Sequence, residues 1–249
     1  MLAFCCNVCG NRVEAPHADI RDREKPSCPI CGSNLRFRTM MAGLSQALFG
    51  SVLPVTAFPV CKTIRGVGLS DAESYAGRLR DKLDYTNTFF HRKPFLDITS
   101  VGDCEFRDLD FMISSDVFEH VAPPVASAFT NARRLLKDGG VLVLSVPFIP
   151  GETDEHFPEL HAFRLEERGG SWTLYNRTTS GAEQVFTDLV FHGGPGATLE
   201  MRLFGLDGLR RALRESRFSE PVLLDEHRPA FGIDWRGEIC SIPLVATAV

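Results

Sequence analysis

Four cysteines in two pairs are the clearest chemistry-bearing residues of this 249-residue chain. Each pair encloses two residues and is followed by a glycine, Gly10 or Gly32, which can adopt a positive φ. Eighteen residues separate the pairs, a spacing typical of zinc sites with four thiolate ligands. The sequence therefore predicts a structural zinc ribbon over residues 1–40, with disulfides or an iron site as the alternatives. Its predicted ligands are Cys6, Cys9, Cys28 and Cys31.

A second stretch that could do chemistry is FMISSDVFEHV, residues 111–121. Its apolar start ends in small polar residues, which predicts a buried parallel strand with Asp116 at its carboxyl end. Ligands of open α/β sheets bind outside such strand ends, so Asp116 is placed to meet a ligand. The alternative is that Ser115 or Asp116 caps the next helix.

Histidines form the third group of candidates. His156, His161 and His192 lie in residues 148–201, a segment that is long for a plain connection and is expected to carry substrate determinants. A histidine suits the removal of a proton from a hydroxyl group. His156 and His161 are the predicted catalytic residues, with His156 first because acidic residues flank it and could raise its pKa. Structural or capping roles are the alternatives.

Composition restricts the partners of the chain. The net charge is −5 and the pI about 5.8, which argues against broad binding to nucleic acid or to an anionic membrane. Residues 1–40 carry six basic and four acidic side chains, and a zinc ion held by four thiolates would offset that excess. No signal peptide or membrane-spanning run is recognised, so a cytoplasmic location is expected.

These candidate residues must be positioned by alternating strands and helices. Apolar and β-rich runs predict strands, and capped amphipathic runs predict helices. The predicted strands are 63–70, 85–90, 111–115, 141–147, 221–224 and 239–245, with a hairpin over 172–177 and 183–190. The predicted helices lie within 39–59, 72–83, 125–136 and 203–218. This alternation predicts an α/β fold with a doubly wound sheet.

Polar and glycine positions at the strand ends could approach a ligand. Gly66 and Gly68 precede Ser70, which stands where a third glycine would complete a dinucleotide-type motif. Asn87 offers hydrogen bonds but no charge where a ribose-binding acid is expected. Asp97 could bond an adenine amino group or could stabilise a turn.

Four segments together resemble the S-adenosylmethionine-dependent methyltransferase superfamily with the Rossmann-like fold. They are GVGLSD (66–71), LDI (96–98), SSDVFEHV (114–121) and RRLLKDGGVLVLSVP (133–147), and the resemblance covers about two thirds of the chain. It implies a Rossmann-like methyltransferase sheet with helices on both faces, behind a small N-terminal zinc ribbon. The division implied is 1–40 for the ribbon and 41–249 for the methyltransferase domain, with a substrate-side insertion at about 148–201.

The resemblance also implies a cofactor site. Gly66, Gly68 and Ser70 would pass close to the methionine part of S-adenosylmethionine. Asn87 would lie near the ribose and Asp97 near the adenine. Ser115 and Asp116 would contact cofactor or substrate.

The expected function is methyl transfer to an oxygen or nitrogen of a small-molecule or glycan-type acceptor, with a structural zinc ion away from the chemistry. A protein partner at the zinc ribbon stays open, and nucleic acid is disfavoured. The alternative is a non-catalytic protein that senses cofactor or binds a partner through the ribbon. The missing third glycine and the missing ribose-binding acid favour that alternative, and the histidine-bearing insertion favours the enzyme.

Overall fold

The N-terminal unit is a hairpin followed by a short helix. The structure is a computed structural model that describes residues 1–102, 104–193 and 198–249. Strand β1 (Leu2–Cys5) pairs antiparallel with β2 (Arg12–Ala15), and helix α1 (His17–Arg21) follows. The tight turn between the strands carries the first cysteine pair and Gly10, whose φ of +76° suits glycine.

Helix α2 (Leu35–Phe49) connects this unit to the rest of the chain. The side chain of Asn34 caps it by accepting a hydrogen bond from Phe37 N at 2.9 Å, and Gly50 ends it with a left-handed conformation. The boundary predicted at residue 40 lies inside this helix. The first turns of α2 therefore belong to the ribbon as much as to the domain that follows.

The middle of the chain alternates strands and helices, close to the predicted bounds. In order these are β3 (Cys61–Leu69), α3 (Glu73–Lys82), β4 (Leu83–Thr88), β5 (Leu109–Ser115), α4 (Ala126–Leu135) and β6 (Leu136–Ser145). Phe95, which precedes Asp97 in the segment between β4 and β5, makes an isolated bridge with Phe89.

The insertion after β6 consists of short strands. These are β7 (Phe148–Ile149), β8 (Asp154–Glu155), β9 (Ala162–Arg168), β10 (Ser171–Arg177), β11 (Glu183–Phe186), β12 (Phe191–His192), β13 (Thr198–Leu199) and β14 (Arg202–Gly205). Strand β10 pairs with β11, as the predicted hairpin requires, and also with β9. Strand β14 pairs with β7 and β8 and so returns the chain to the main domain.

The chain ends with helix α5 (Leu206–Glu215) and strands β15 (Val222–Leu223) and β16 (Leu244–Thr247). Short 3₁₀ turns lie at Val55–Ala57, Phe118–His120 and Pro229–Phe231. Across the described ranges, no helix is both long and apolar enough to cross a membrane.

The largest sheet has the order β15–β16–β6–β5–β3–β4. Strands β4, β3, β5 and β6 run parallel, and β16 is antiparallel to both of its neighbours. The chain moves outward from β3 to β4 on one side and to β5 and β6 on the other. The crevice between β3 and β5 is therefore a topological switch point, where ligands of such sheets bind.

Alternate residues of the central strands face two different cores. Phe111 and Ile113 of β5 pack with α2, α3 and the ribbon, whereas Met112 packs with α4 and α5. This alternation follows from the two-residue period of a strand. The predicted fold class, an α/β sheet with helices on both faces, is confirmed, and the ribbon shares one of its two cores.

Candidate functional site

Two strained residues mark the switch point. Ser70 follows β3 with a φ of +57°, and Asp116 follows β5 with a φ of +53°. Neither is glycine, so each conformation costs energy and must be held by its surroundings. The backbone N–H of Ser70 donates to Thr88 O at 2.7 Å, and that of Asp116 donates to Ser145 O at 2.9 Å. Both side chains are thereby fixed at the carboxyl ends of adjacent strands.

Asp116 joins the ribbon to this edge of the sheet. Arg23 donates from Nη1 to Asp116 Oδ2 at 2.9 Å and from Nη2 to Oδ1 at 2.7 Å, a bidentate pair. Arg36 Nε lies 3.3 Å from Asp116 Oδ2, and Ser145 Oγ donates to Oδ1 at 2.8 Å. Burial alone would raise the pKa of Asp116, but the hydrogen bond from Arg23 and the charges of Arg23 and Arg36 outweigh it and hold that pKa below its ordinary value.

Arg36 extends the same network. Its guanidinium donates to Glu24 Oε1 at 3.0 Å and also to the hydroxyl of Ser115. Arg23 and Arg36, two of the six basic side chains of residues 1–40, are thus engaged inside the chain. Ser115 and Asp116, both predicted to contact cofactor or substrate, lie together beneath these arginines.

The β3 side of the crevice is filled by the chain's own side chains. Tyr75 and Tyr85 donate their hydroxyl groups to the two oxygens of Asp71, at 2.9 and 2.5 Å. Burial raises the pKa of Asp71 to about 7, although both hydrogen bonds act to lower it. A methyl group on Gly68 would overlap Asp71 and Tyr85, and one on Gly66 would overlap the ring of Phe111. Close packing inside β3 therefore explains why glycine stands at both of these positions, which were predicted to approach the cofactor.

Asn87 is also committed to internal contacts. Its side chain accepts from Asp71 N and donates to Asp71 O, both at 2.9 Å. These two bonds fix the backbone turn after β3. Asn87, which was predicted to lie near the ribose, is buried and supports the turn at the floor of the crevice.

Asp97 lines a broad cleft in the segment that connects β4 to β5. The cleft has a volume of about 710 Å³, and its apolar lining includes Phe95, Leu96 and Phe106. Asp97 Oδ1 accepts from the N–H and the hydroxyl of Thr99, at 2.8 and 2.7 Å, so the residue makes the turn that was one of its two predicted roles. Asp97 Oδ2 is not used by these two bonds.

A group of histidines and acids lies next to Asp116. We name it the histidine pocket, and it comprises Glu119, His120, His156, His192 and Glu200. His192 Nε2 lies 2.9 Å from Glu200 Oε2, and His156 Nε2 lies 3.8 Å from Glu200 Oε1. The rings of His120 and His192 are 5.0 Å apart and nearly perpendicular.

Two members of the histidine pocket, Glu119 and His120, have shifted pKa values. Glu119 is fully buried, and neither of its carboxylate oxygens has a hydrogen-bond partner in the described part of the chain. Burial and then the negative charge of Asp116 raise the pKa of Glu119 well above its ordinary value. Burial lowers the pKa of His120, which favours a neutral imidazole.

The predicted catalytic histidines are placed differently. His156 lies in the histidine pocket. His161 is exposed, and its backbone N–H donates to Asn176 Oδ1 at 2.9 Å, beside the β9–β10 pair. Sequence reasoning missed Glu119 and His120, although they follow Asp116 within one turn of the quoted stretch. No sequence pattern marks Glu200 as a site residue, because it directly follows β13 and reaches this edge of the sheet only through the fold of the insertion.

The four predicted zinc ligands lie together in the ribbon, and we name them the cysteine cluster. Their sulfurs lie within 4.8 Å of one another, with Cys6 and Cys31 at 3.7 Å and Cys9 and Cys28 at 3.8 Å. A Zn–S bond of about 2.3 Å in a tetrahedron places sulfurs about 3.8 Å apart. The chemistry and spacing of this donor set therefore fit a zinc ion.

Arg38 adds a charge argument. Its guanidinium is fully buried and donates to the backbone oxygens of Ser33 and Gly232, both at 3.0 Å, and to Ser27 Oγ at 2.8 Å. Burial lowers the pKa of Arg38 to about 10, while the nearby cysteines act to raise it. Zinc with four thiolates carries a net charge of −2, which would compensate this buried cation.

Comparison with known proteins defines the family. A family model described as "Methyltransferase domain" matches residues 55–179, half of the chain. The chain therefore belongs to this family of methyltransferase domains. This confirms the predicted superfamily and the predicted enzyme class, an S-adenosylmethionine-dependent methyltransferase. No curated protein matched the chain.

Several solved structures are similar at low identity. An amino pentose methyltransferase from Micromonospora echinaspora is 13% identical, with 88% of this chain and 93% of that chain covered and a TM-score of 0.47. The 1,6-didemethyltoxoflavin-N1-methyltransferase of Burkholderia thailandensis is 14% identical, with 85% and 78% covered and a TM-score of 0.44. We draw nothing about substrate from these similarities.

The crevice has donors that fit S-adenosylmethionine. The guanidinium groups of Arg23 and Arg36 suit a carboxylate and Asp116 suits an ammonium group, and a bound amino acid would replace part of the pairing between these three residues. The cleft beside Asp97 has the volume and the apolar lining of a small-ligand site. The charged groups of Arg23, Arg36 and Asp116 therefore fit the amino-acid part of the cofactor of the family.

Proposed function

We propose that this protein transfers a methyl group from S-adenosylmethionine to a hydroxyl or amine of a small-molecule or glycan-type acceptor. The observation that supports this most is the strained Asp116 at the switch point, close to Glu119 and His120 of the histidine pocket. A proton acceptor and a cofactor-binding acid at one strand end are what methyl transfer to a protonated oxygen requires.

We propose that three regions of the chain bind three different parts of the cofactor. Arg23 and Arg36 would hold the carboxylate, Asp116 the ammonium group and Asp97 the adenine. Ser70 and Ser115 would line the strand ends beside the methionine part. Bound S-adenosylmethionine supplies a methyl group on an electrophilic sulfonium.

Gly66, Gly68 and Asn87 would act indirectly. Their contacts with Phe111, Asp71 and Tyr85 support a role in shaping the floor of the crevice. This proposal accounts for the missing third glycine, because a floor built from buried side chains does not need a glycine turn there.

His156 would remove the proton of an acceptor hydroxyl. The carboxylate of Glu200 faces it and would supply the counter-charge for the imidazolium that results. An amine acceptor that arrives neutral needs alignment and exclusion of water more than it needs a base. The effect of removing His156 is therefore larger for a hydroxyl acceptor.

The cysteine cluster would hold a structural zinc ion that keeps the ribbon folded against the sheet. The compensating charge of the buried Arg38 supports this role. The ribbon docks within its own chain through Arg23 and Arg36, which supports a positioning role for it rather than nucleic-acid binding.

Cofactor binding is the first test. The zinc-loaded full chain is titrated with S-adenosylhomocysteine in a calorimeter, beside Asp116→Asn and a control, Asp84→Asn, at the exposed start of β4. Micromolar binding by the wild type and the control, weakened at least tenfold in Asp116→Asn, is expected. A folded, zinc-loaded wild type that does not bind would overturn the proposal.

Turnover is the second test. Release of S-adenosylhomocysteine is measured with a panel of hydroxyl and amine acceptors for His156→Gln, His161→Gln and a surface control, His91→Gln. For a hydroxyl acceptor, His156→Gln is expected to lower kcat by roughly 100-fold or more, and more than His161→Gln does. The reverse order would transfer the role of base to His161.

A further inference from the structure

The histidine pocket contains a set of metal-ligating atoms apart from the cysteine cluster. One ligand atom each of Glu119, His120 and His192 lies within 4.8 Å of the other two. Ligands on a bound zinc ion are about 3.3 Å apart, at bond lengths near 2.1 Å. A closure of up to about 1.5 Å by the side chains would therefore complete the site.

The state of Glu119 points to a cation. Its carboxylate is fully buried, and both oxygens are without a hydrogen-bond partner among the described residues. Its contact with His120 is long, at 3.8 Å between Oε1 and Nε2. A buried carboxylate normally has donors or a metal ion, since leaving it unpaired is costly.

The two histidines are held as metal ligands usually are. His120 Nδ1 is 2.9 Å from Leu199 O, so this nitrogen donates to a backbone carbonyl and leaves Nε2, which faces Glu119, with a free lone pair. His192 is oriented by Glu200, whose Oε2 is 2.9 Å from Nε2. A carbonyl or carboxylate behind each imidazole fixes the ring and its tautomer.

We propose that Glu119, His120 and His192 bind a divalent transition-metal cation. Two imidazoles and one carboxylate suit Zn²⁺, Co²⁺, Fe²⁺ or Ni²⁺ better than Mg²⁺ or Ca²⁺, which prefer oxygen ligands. Three protein ligands leave coordination positions open, as in catalytic rather than structural sites. The cation would lie beside Asp116, at the edge where the acceptor is proposed to bind, but its presence can be tested without cofactor or acceptor.

The test is a metal count with Co²⁺ as the probe. The full chain is unfolded, stripped and refolded with Co²⁺, and bound cobalt is measured by elemental analysis after removal of free ion. Two ions per chain are expected for the wild type, and one for Glu119→Gln and for His192→Ala. The thiolate-to-cobalt absorption of the cysteine cluster should stay unchanged in both variants. His227→Ala, a histidine on the C-terminal loop, serves as the matched control and should keep two ions.

Two results would overturn the proposal. The first is a single bound ion in the wild type at saturating Co²⁺, with the full thiolate-to-cobalt absorption. The second is two bound ions in the wild type and an unchanged count in both Glu119→Gln and His192→Ala. Near-ultraviolet circular dichroism identifies a variant that has not folded, and the other variant then decides the outcome. Since methyl transfer is not measured, failure here is separable from failure of the proposed function.

Discussion

The cysteine cluster and the histidine pocket are both groups of metal-ligating side chains, but their surroundings differ. The cysteine cluster is closed, because four sulfurs surround one point and a buried Arg38 matches the charge that zinc-bound thiolates would carry. The histidine pocket is open, because Glu119 has no hydrogen-bond partner among the described residues and His156 and His192 are partly exposed. We expect the first arrangement to contribute to stability, whereas the second has ligand atoms that the described residues do not use.

The two groups also differ in how they are built. The cysteine cluster comes from two short motifs whose internal spacing places both sulfurs of a pair on one ion. The histidine pocket comes from the end of β5, from β12 and from the loops around β8 and β14. Disrupting the first should therefore affect folding, whereas disrupting the second should affect binding with little loss of structure.

The largest effect is expected when a ligand of the cysteine cluster is removed. Cys28→Ser should abolish zinc retention and unfold the ribbon, because zinc binding contributes on the order of 10 kcal/mol to such small units. The main domain should lose stability as well, since the ribbon shares a core with Phe111 and Ile113. Zinc analysis and urea unfolding measure both effects, with Cys61→Ser outside the cluster as the control. Unchanged unfolding in Cys28→Ser would remove the structural role of the cluster.

A smaller effect is expected from Arg38→Leu, which removes the buried cation and leaves the charge of zinc-bound thiolates uncompensated. Breaking a buried charge pair costs about 3–5 kcal/mol, which urea unfolding of the zinc-loaded protein would detect. Arg38→Lys, which keeps the positive charge but loses most of the guanidinium hydrogen bonds, should cost much less. Arg12→Leu, on the exposed side of β2, is the control. Equal losses in Arg38→Leu and Arg38→Lys would show that Arg38 acts through its backbone hydrogen bonds instead.

The sequence was sufficient for features whose pattern is local. The two CxxC pairs predict the cysteine cluster, and the period of the apolar residues predicts β3 through β6 to within a few residues. The stretch 111–121 predicts that an acidic residue, Asp116, lies at the carboxyl end of a strand. Whether Asp116 acts on cofactor or substrate stays a prediction, as do the roles of Ser70, Ser115 and Asp97.

Other features depend on contacts between distant parts of the chain. The pairing of Arg23 with Asp116 joins residues 93 positions apart, and no local pattern announces it. Gly66 and Gly68 resemble a ligand-binding motif, but the rings and carboxyl group that fill their Cβ positions come from β4, β5 and the turn after β3. Glu200 reaches His156 and His192 only because the insertion folds back over β5. Sequence spacing alone cannot distinguish a glycine needed for a ligand from one needed for packing.

Asp71 provides an internal standard for a buried acid that has partners. Its pKa is raised to about 7, so the folded protein holds its proton more tightly than the unfolded chain, in which the pKa is about 3.9. The stability this gives is complete below pH 4 and is lost as the pH rises through 7. Asp71→Asn should remove that loss, on the order of 4 kcal/mol. Urea unfolding at pH 5, 6, 7 and 8 should show that the free energy of unfolding of the variant rises relative to that of the wild type as the pH increases. A difference that does not change with pH would contradict the raised pKa of Asp71.

The smallest effect, and the sharpest contrast with the cysteine cluster, is expected from Glu119→Gln. The pKa of Glu119 is raised well above its ordinary value, so its ionisation opposes folding increasingly as the pH rises. Without added metal, the glutamine variant should therefore be more stable than the wild type by about 1–2 kcal/mol at pH 8, with a smaller difference at pH 5. Saturating Co²⁺ should reverse the order, because an ion that binds only the folded wild type adds about 2.7 kcal/mol at 100 times its Kd. Thermal unfolding with and without Co²⁺ measures this reversal, in proteins whose cysteine cluster is already filled. A variant less stable than the wild type under both conditions would mean that Glu119 has a structural partner, and the histidine pocket would then be as closed as the cysteine cluster.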